Sequence, residues 1–241
     1  MTREFVVLPD DIAVASITAD RIIAAGQEAI DRHGTFHFAL TGGSTPLTVC
    51  PLLVVPPRVN QLDWARTEFF FGDERAVPSR HPESNYNTAR LALFDYLPGV
   101  RPGQVHRMIG EAADLDAAAR AYEAMIRRTL DDDADPPRFD LVWLGMGPDG
   151  HTASLFPGTA AVEETQRLVV PNWVPSMSAW RLTLTFPILN AAREVNFVVT
   201  GADKAAAFAS VRSGSDELPA GRIDAERTLW FVDQPAAGGL G

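Results

Sequence analysis

Cysteine occurs once, at Cys50, so the chain has no internal disulfide and no Cys-rich metal cluster, a usage that fits a reducing cytoplasm. Long apolar runs are missing as well. None approaches the ~20 residues that cross a bilayer, and Met1 to Val6 opens without an apolar stretch leading to a small-residue cleavage site. A cytoplasmic protein with no membrane partner is expected. Positive charge is scarce: 21 Lys and Arg against 31 Asp and Glu give a formal net charge of −10. Non-specific nucleic-acid binding needs a basic surface and is therefore not expected. A small anion stays compatible, because a few placed cations make a local positive pocket against an acidic background.

What is present is ordinary for a folded protein, with 46% apolar and 22% charged residues in 241. That length suits one large α/β domain, here expected over residues 1–234, with 235–241 as a flexible tail. A short apolar strand, a loop with Gly or Asp, and a helical stretch recur. Val6-Val7-Leu8 reads as a strand, and 11–31 as a helix through Ile12, Ala15, Ile22, Ala25 and Ile30. Strands follow at 36–40, 67–71, 139–144, 168–170, 181–185, 195–199 and 228–232, with helices over 85–96 and 114–130. The runs at 36–40, 139–144 and 195–199 suit burial on both faces, as in a parallel sheet. The alternation predicts a Rossmann-like, doubly wound, mostly parallel sheet with flanking helices. The acidic, Pro-closed stretch 131–137 reads as a solvated linker.

Open parallel sheets bind ligands at the carboxyl ends of their strands, and four such loops carry unusual chemistry. Thr41-Gly42-Gly43-Ser44-Thr45-Pro46 offers glycines for close approach, hydroxyl donors and a proline fit for a first helical turn. It reads either as a phosphate cradle at a helix N-terminus or as a plain capped turn; with no Gly-Lys-Ser/Thr it is not a Walker A loop. Gly72-Asp73-Glu74-Arg75 is either a solvated corner or a carboxylate and guanidinium for sugar hydroxyls and phosphate. Gly145-Met146-Gly147-Pro148-Asp149-Gly150 formally matches the dinucleotide pattern. Pro148 inside the turn, and no acidic residue near the expected ~20-residue offset, exclude that reading. The loop instead presents Asp149 and His151 at a strand end. His151 suits a base near neutral pH, whereas His33, His37, His81 and His106 read as surface or structural. No HExxH and no second histidine at ligand spacing point to a metal. Lys204, the first cation after strand 195–199, either reaches a phosphate or lies on the surface.

The stretches LTGGSTP (40–46), FFGDERAVP (70–78), SNYNTAR (84–90), FDLVWLGMGPDGHTASLFPGT (139–159), RLTLTFPILNAA (181–192) and TGADKAAA (200–207) together resemble the 6-phosphogluconolactonase family, in the family's order. The resemblance implies a fold related to glucosamine-6-phosphate deaminase and ribose-5-phosphate isomerase. It implies hydrolysis of 6-phospho-D-glucono-1,5-lactone to 6-phospho-D-gluconate, in the oxidative pentose phosphate pathway, with a sugar-phosphate substrate and no cofactor or metal. By motif, His151 takes the place of the catalytic base, with Asp149 either orienting it or only shaping the turn. Gly43, Ser44, Thr45, Arg75, Arg181 and Lys204 surround the phosphate and sugar, and Asp73 and Asn85 are further binding candidates. The related deaminases read like DGHIAFNEP, with a glutamate where this chain has Phe156, so the ring-opening acid relay is incomplete. One departure is the interruption by Pro51, Pro56 and Pro57 after the glycine-rich loop. An interior proline costs about 3 kcal/mol in a regular helix, so a short or kinked helix is expected there. Rival readings are an isomerase or deaminase of the same fold, or a sugar-phosphate sensor, the latter without a basic segment for DNA. The expected assembly is a monomer or weak dimer.

Overall fold

The computed structural model describes residues 2–43, 45–130 and 133–239. In chain order the elements run β1 (Thr2–Leu8), α1 (Asp11–His33), β2 (Phe36–Leu40), α2 (Thr45–Leu53), β3 (Thr67–Phe71), β4 (Asp73–Arg75), α3 (Asn85–Ala89) and α4 (Leu115–Leu130). Then follow β5 (Leu141–Gly145), β6 (Val169–Val174), β7 (Ala179–Leu184), α5 (Phe186–Ala191), β8 (Glu194–Val199), α6 (Ala205–Arg212) and β9 (Arg227–Asp233). No helix is long and apolar enough to cross a membrane among the described residues.

Six strands form one sheet in the order β1-β9-β8-β5-β2-β3, every adjacent pair parallel. Its strands are apolar on both faces, and the faces separate with period two. Phe36, Phe38, Leu40, Leu141, Trp143, Leu229 and Phe231 pack with α1 and α2 on one side. Ala39, Phe70, Val142, Leu144, Phe197 and Trp230 pack with α4, α5 and α6 on the other. Asp10 starts α1 by accepting from Ala13 N at 2.8 Å, and Gly34 ends it in the left-handed region at φ 90°.

The remaining strands form a second sheet in the order β4-β7-β6, antiparallel throughout. Asp73–Arg75, expected as a loop, is therefore a strand whose three residues pair with Thr183, Leu182 and Arg181. Gly72 ties the two sheets together: its N–H donates to Leu40 O and its carbonyl accepts from Leu184 N, both at 2.8 Å.

Two other expectations are corrected. The helix read over 85–96 stops being α-helical at Ala89 and continues as a π-turn over Arg90–Phe94. Asp95 N bonds Arg90 O across that turn while the two side chains pair at 2.6 Å over the same interval, so widening the turn brings the ion pair into register. The segment from Pro235 was expected as a frayed tail, yet residues 235–239 form a turn against the core with Ala236 and Ala237 buried. The Asp233 carboxylate accepts from Ala236 N at 2.7 Å and from Gly201 N at 3.0 Å, pinning the turn to the end of β8. Leu240 and Gly241 lie outside the described residues. The prolines act as expected: α2 is nine residues long, contains Pro51, and ends at Leu53.

Candidate active site

The sheet order places the site. From β2 the chain moves outward to β3, and from β5 it moves the opposite way to β8, so β2 and β5 are neighbours at the topological switch point. The loops after these strands diverge and leave a crevice at their carboxyl ends. A cavity of about 240 Å³ opens there.

His151 lines that cavity. Its loop is rigidly built: Gly150 N donates to Gly147 O at 3.0 Å, Gly147 N to His151 O at 2.9 Å, and Thr152 Oγ1 to Gly145 O at 2.9 Å. Gly150 sits at φ +75°, where a side chain would also run into Leu218. Asp149 does not line the cavity but holds the imidazole from outside, its Oδ1 lying 2.6 Å from His151 Nδ1 and accepting His151 N at 3.1 Å. Partial burial pushes the Asp149 carboxyl up, but the hydrogen bond and charge of His151 outweigh it and hold the group below the usual carboxylate range.

Asp73, Arg75 and Arg181 reach the same cavity from the small sheet, where β4 and β7 place Arg75 directly opposite Arg181. Asp73 is buried and doubly held, accepting Asn85 Nδ2 at 2.9 Å on Oδ1 and Ser154 Oγ at 2.6 Å on Oδ2. Arg75 donates through Nη1 to Glu83 O, and Arg181 through Nη2 to Met177 Sδ at 3.0 Å. Burial lowers the Arg181 pKa below the usual guanidinium value; Asp73 opposes that and Arg75 adds to it. A guanidinium so placed stays charged near neutral pH and gains from an anionic partner. Lys204, at the start of α6, lines the cavity from the β8 side and pairs with Asp203 Oδ2 at 2.9 Å. Gly43, at φ +76°, and Thr45 complete the wall where α2 begins. Ser44 lies outside the described residues.

Asn85 is not in the wall. It is buried behind Asp73, donating both to the Asp73 carboxylate and, at 2.8 Å, to the Asp73 carbonyl. It also packs where a Cβ on Gly42 would fall, so Gly42 and Asn85 fit together. Glu74, next to Asp73, is turned away from the chemistry. Its carboxylate accepts from Arg75 N, Ser84 Oγ, Asn85 N and Tyr86 N at 2.8–2.9 Å and so caps α3. Burial raises its pKa although these donors oppose the shift.

Sequence reasoning missed Ser154 and Met177 as site components, and it placed Phe156 at the position of the deaminases' glutamate without foreseeing its contact with the histidine. Phe156 stacks on the His151 ring with centroids 3.9 Å apart and lines the cavity. Met177 arrives on the turn between β6 and β7, and nothing in its local sequence signals a site. Ser154 acts on Asp73 across 81 positions, a relation set by tertiary structure. At the other end of the strands, by the starts of β2 and β5, His33, His37 and Asp140 bring potential ligand atoms within 4.8 Å of one another. Arg193 and Arg32 lie 3.5 and 3.8 Å from the same carboxylate, and that positive surround opposes a divalent cation.

Fold and site define a Rossmann-like α/β protein whose switch-point cavity joins a carboxylate-held histidine to three cations suited to an anionic ligand. The family model described as glucosamine-6-phosphate isomerases/6-phosphogluconolactonase matches residues 9–230. The chain belongs to that family. It is 38% identical to the 6-phosphogluconolactonase of Mycobacterium leprae, covering 98% of each chain. It is also 38% identical to chloroplastic 6-phosphogluconolactonase 3 of Arabidopsis thaliana, over 95% of this chain and 71% of the relative. Among solved structures, 6-phosphogluconolactonase from Trypanosoma cruzi superposes with a TM-score of 0.86 at 30% identity, covering 99% of this chain and 97% of that one.

Proposed function

We propose that the chain hydrolyses 6-phospho-D-glucono-1,5-lactone to 6-phospho-D-gluconate, as a carboxylic ester hydrolase of the pentose phosphate pathway. The observation that carries this reading is that His151, held from behind by Asp149, lines a cavity that Arg75, Arg181 and Lys204 also line. With Nδ1–H donating to Asp149, Nε2 keeps its lone pair and acts as the base. It takes a proton from water as the water oxygen attacks the C1 carbonyl. The tetrahedral oxyanion is stabilised by donors in the wall, worth about 3–4 kcal/mol for each well-placed one. The imidazolium then returns the proton to the ring oxygen as the C–O bond breaks. Asp149 orients the ring and balances its transient charge.

The phosphate is assigned to Arg75, Arg181 and Lys204, with Gly43 and Thr45 adding donors where α2 begins. Asp73, fixed as an acceptor by Asn85 and Ser154, is assigned to sugar hydroxyls. No cofactor enters this scheme. Cys50 is buried and desolvation pushes its thiol up to about 12, so it takes no part in this scheme; the proposed setting is the cytoplasm and the proposed assembly a monomer or weak dimer. The test generates the lactone in situ with glucose-6-phosphate dehydrogenase and follows acid release. The expected result is acceleration above the spontaneous rate, reduced about 10²- to 10⁴-fold in His151→Ala with folding intact. Undiminished turnover in that variant overturns the assignment of the base.

A further inference from the structure

The His151 imidazole is bounded by three groups, and the hydrolysis just proposed explains only one of them. Asp149 holds Nδ1. Phe156 covers a face, nearly parallel to the ring at 21° and itself buried. Gly147 closes the edge formed by Nδ1 and Cε1, where a Cβ would overlap the imidazole. Gly147 is not among the glycines with positive φ, so its backbone accepts an alanine, and what excludes one is the imidazole together with the Asp149 carboxylate bonded to it, whose Oδ1 would lie 2.7 Å from the Cβ.

Phe156 is delivered with equal definition. Its carbonyl accepts Thr159 N at 3.1 Å and Thr159 Oγ1 at 2.8 Å. Asn172 on β6 donates to Thr159 Oγ1 at 2.9 Å and to Ser154 O at 2.8 Å. Ser154 N is in turn bonded to Thr183 Oγ1 on β7 at 3.1 Å. The small antiparallel sheet thus fixes the segment that carries the aromatic ring. Among the described residues, Asp149 is the one carboxylate hydrogen-bonded to the imidazole.

We propose that Phe156 and Gly147 are positioning residues for lactone hydrolysis: they confine the imidazole to one orientation with Nε2 as the working nitrogen, and Phe156 keeps that face free of a second carboxylate. The proposal rests on the lactonase reading for its kinetic consequences but not for its structural content. A base displaced by about 1 Å loses rate on the order of 100-fold, so confinement of the ring appears in kcat and not in substrate affinity.

Four variants and one spectrum test it. Phe156→Leu is expected to lower kcat about 10- to 100-fold with KM near that of the parent, and Phe156→Tyr to restore most of the loss. Gly147→Ala is expected to lower kcat similarly by pushing the ring aside. Phe156→Glu is expected to move the acid limb of the kcat/KM profile to higher pH, because an added carboxylate favours the imidazolium and the base works only when neutral. Nitrogen-15 NMR of the imidazole in the ligand-free protein is expected to show the Nδ1–H tautomer in the parent and a tautomer mixture in Phe156→Leu.

Parental kcat in Phe156→Leu, or a parental pH profile in Phe156→Glu, overturns the proposal. Should that variant fail to fold, parental kcat in Gly147→Ala does the same. A parent without lactonase activity whose imidazole spectrum still responds to Phe156→Leu removes the functional reading and leaves the positioning role standing. An active parent whose spectrum does not respond removes the positioning role alone.

Discussion

Arg181 shows how one residue serves two environments. Its guanidinium is largely withdrawn from water, faces Asp73, and is seated beside Arg75 on the neighbouring strand. Two guanidinium groups side by side are costly until an anion arrives, which supports the proposed phosphate assignment. Replacing Arg181 by Gln removes a charge-assisted contact worth about 1.5–3 kcal/mol. That corresponds to a rise in KM of about 10- to 100-fold, with kcat much less affected, measured by initial rates over a range of lactone concentrations. Arg181→Lys is expected to recover only part of the affinity, because an ammonium cannot reproduce the planar fork. If neither variant alters KM, the phosphate lies elsewhere. At this scale the cavity wall is partly legible in sequence. A Gly-rich turn at a strand end singles out His151, whereas Arg75 and Lys204 each keep a plain surface reading in the local pattern and are raised above it by the motif resemblance; the fold brings all three to one cavity. Asn85 looks the same as a ligand-facing amide in sequence, yet both of its donor bonds go to Asp73, which only the fold reveals.

Elements differ in legibility according to where their partners come from. β2 and β3 have the bounds read from sequence, since each is a continuous apolar run bounded by turn residues. β4 does not, because three charged residues after a glycine carry no strand pattern. Its strand character comes from β7, more than a hundred positions away, whose register puts Arg181 against Arg75. The same non-local logic governs Gly42. Nothing about its neighbours demands glycine, but the Asn85 side chain occupies the space of its Cβ. Gly42→Ala therefore forces Asn85 away from Asp73, and overpacking of this kind costs about 1–3 kcal/mol. The expected outcome is a lower denaturation midpoint together with a loss of kcat/KM, since Asp73 loses a donor. A variant as active as the parent separates the Asn85–Asp73 contact from function.

Across the whole molecule, the two sheets share one apolar layer, in which Ala39 and Phe70 of the large sheet join Leu182 and Leu184 of the small one. We therefore expect the fold, including the turn after β9 that packs on the same core, to unfold in a single transition, with near- and far-ultraviolet circular dichroism changing together. The pH dependence of that transition has an identifiable source in His37. Its ring is buried at the start of β2, and burial lowers its pKa from the ordinary value of about 6.5. Asp140 and Glu68 pull it upward without overcoming burial, while His33 and His106 push it further down. A group with a depressed folded-state pKa contributes its stability above the unfolded value and loses it as pH falls toward the folded one. As pH drops below about 6.5 the unfolded chain takes up the proton first, and stability falls by at most about 1.4 kcal/mol per pH unit from this residue. Urea unfolding at pH 7.5 and 5.5 is expected to show a lower midpoint at the acidic value. His37→Gln, which cannot titrate, is expected to reduce that difference. An unchanged difference in the variant assigns the acid sensitivity to other groups.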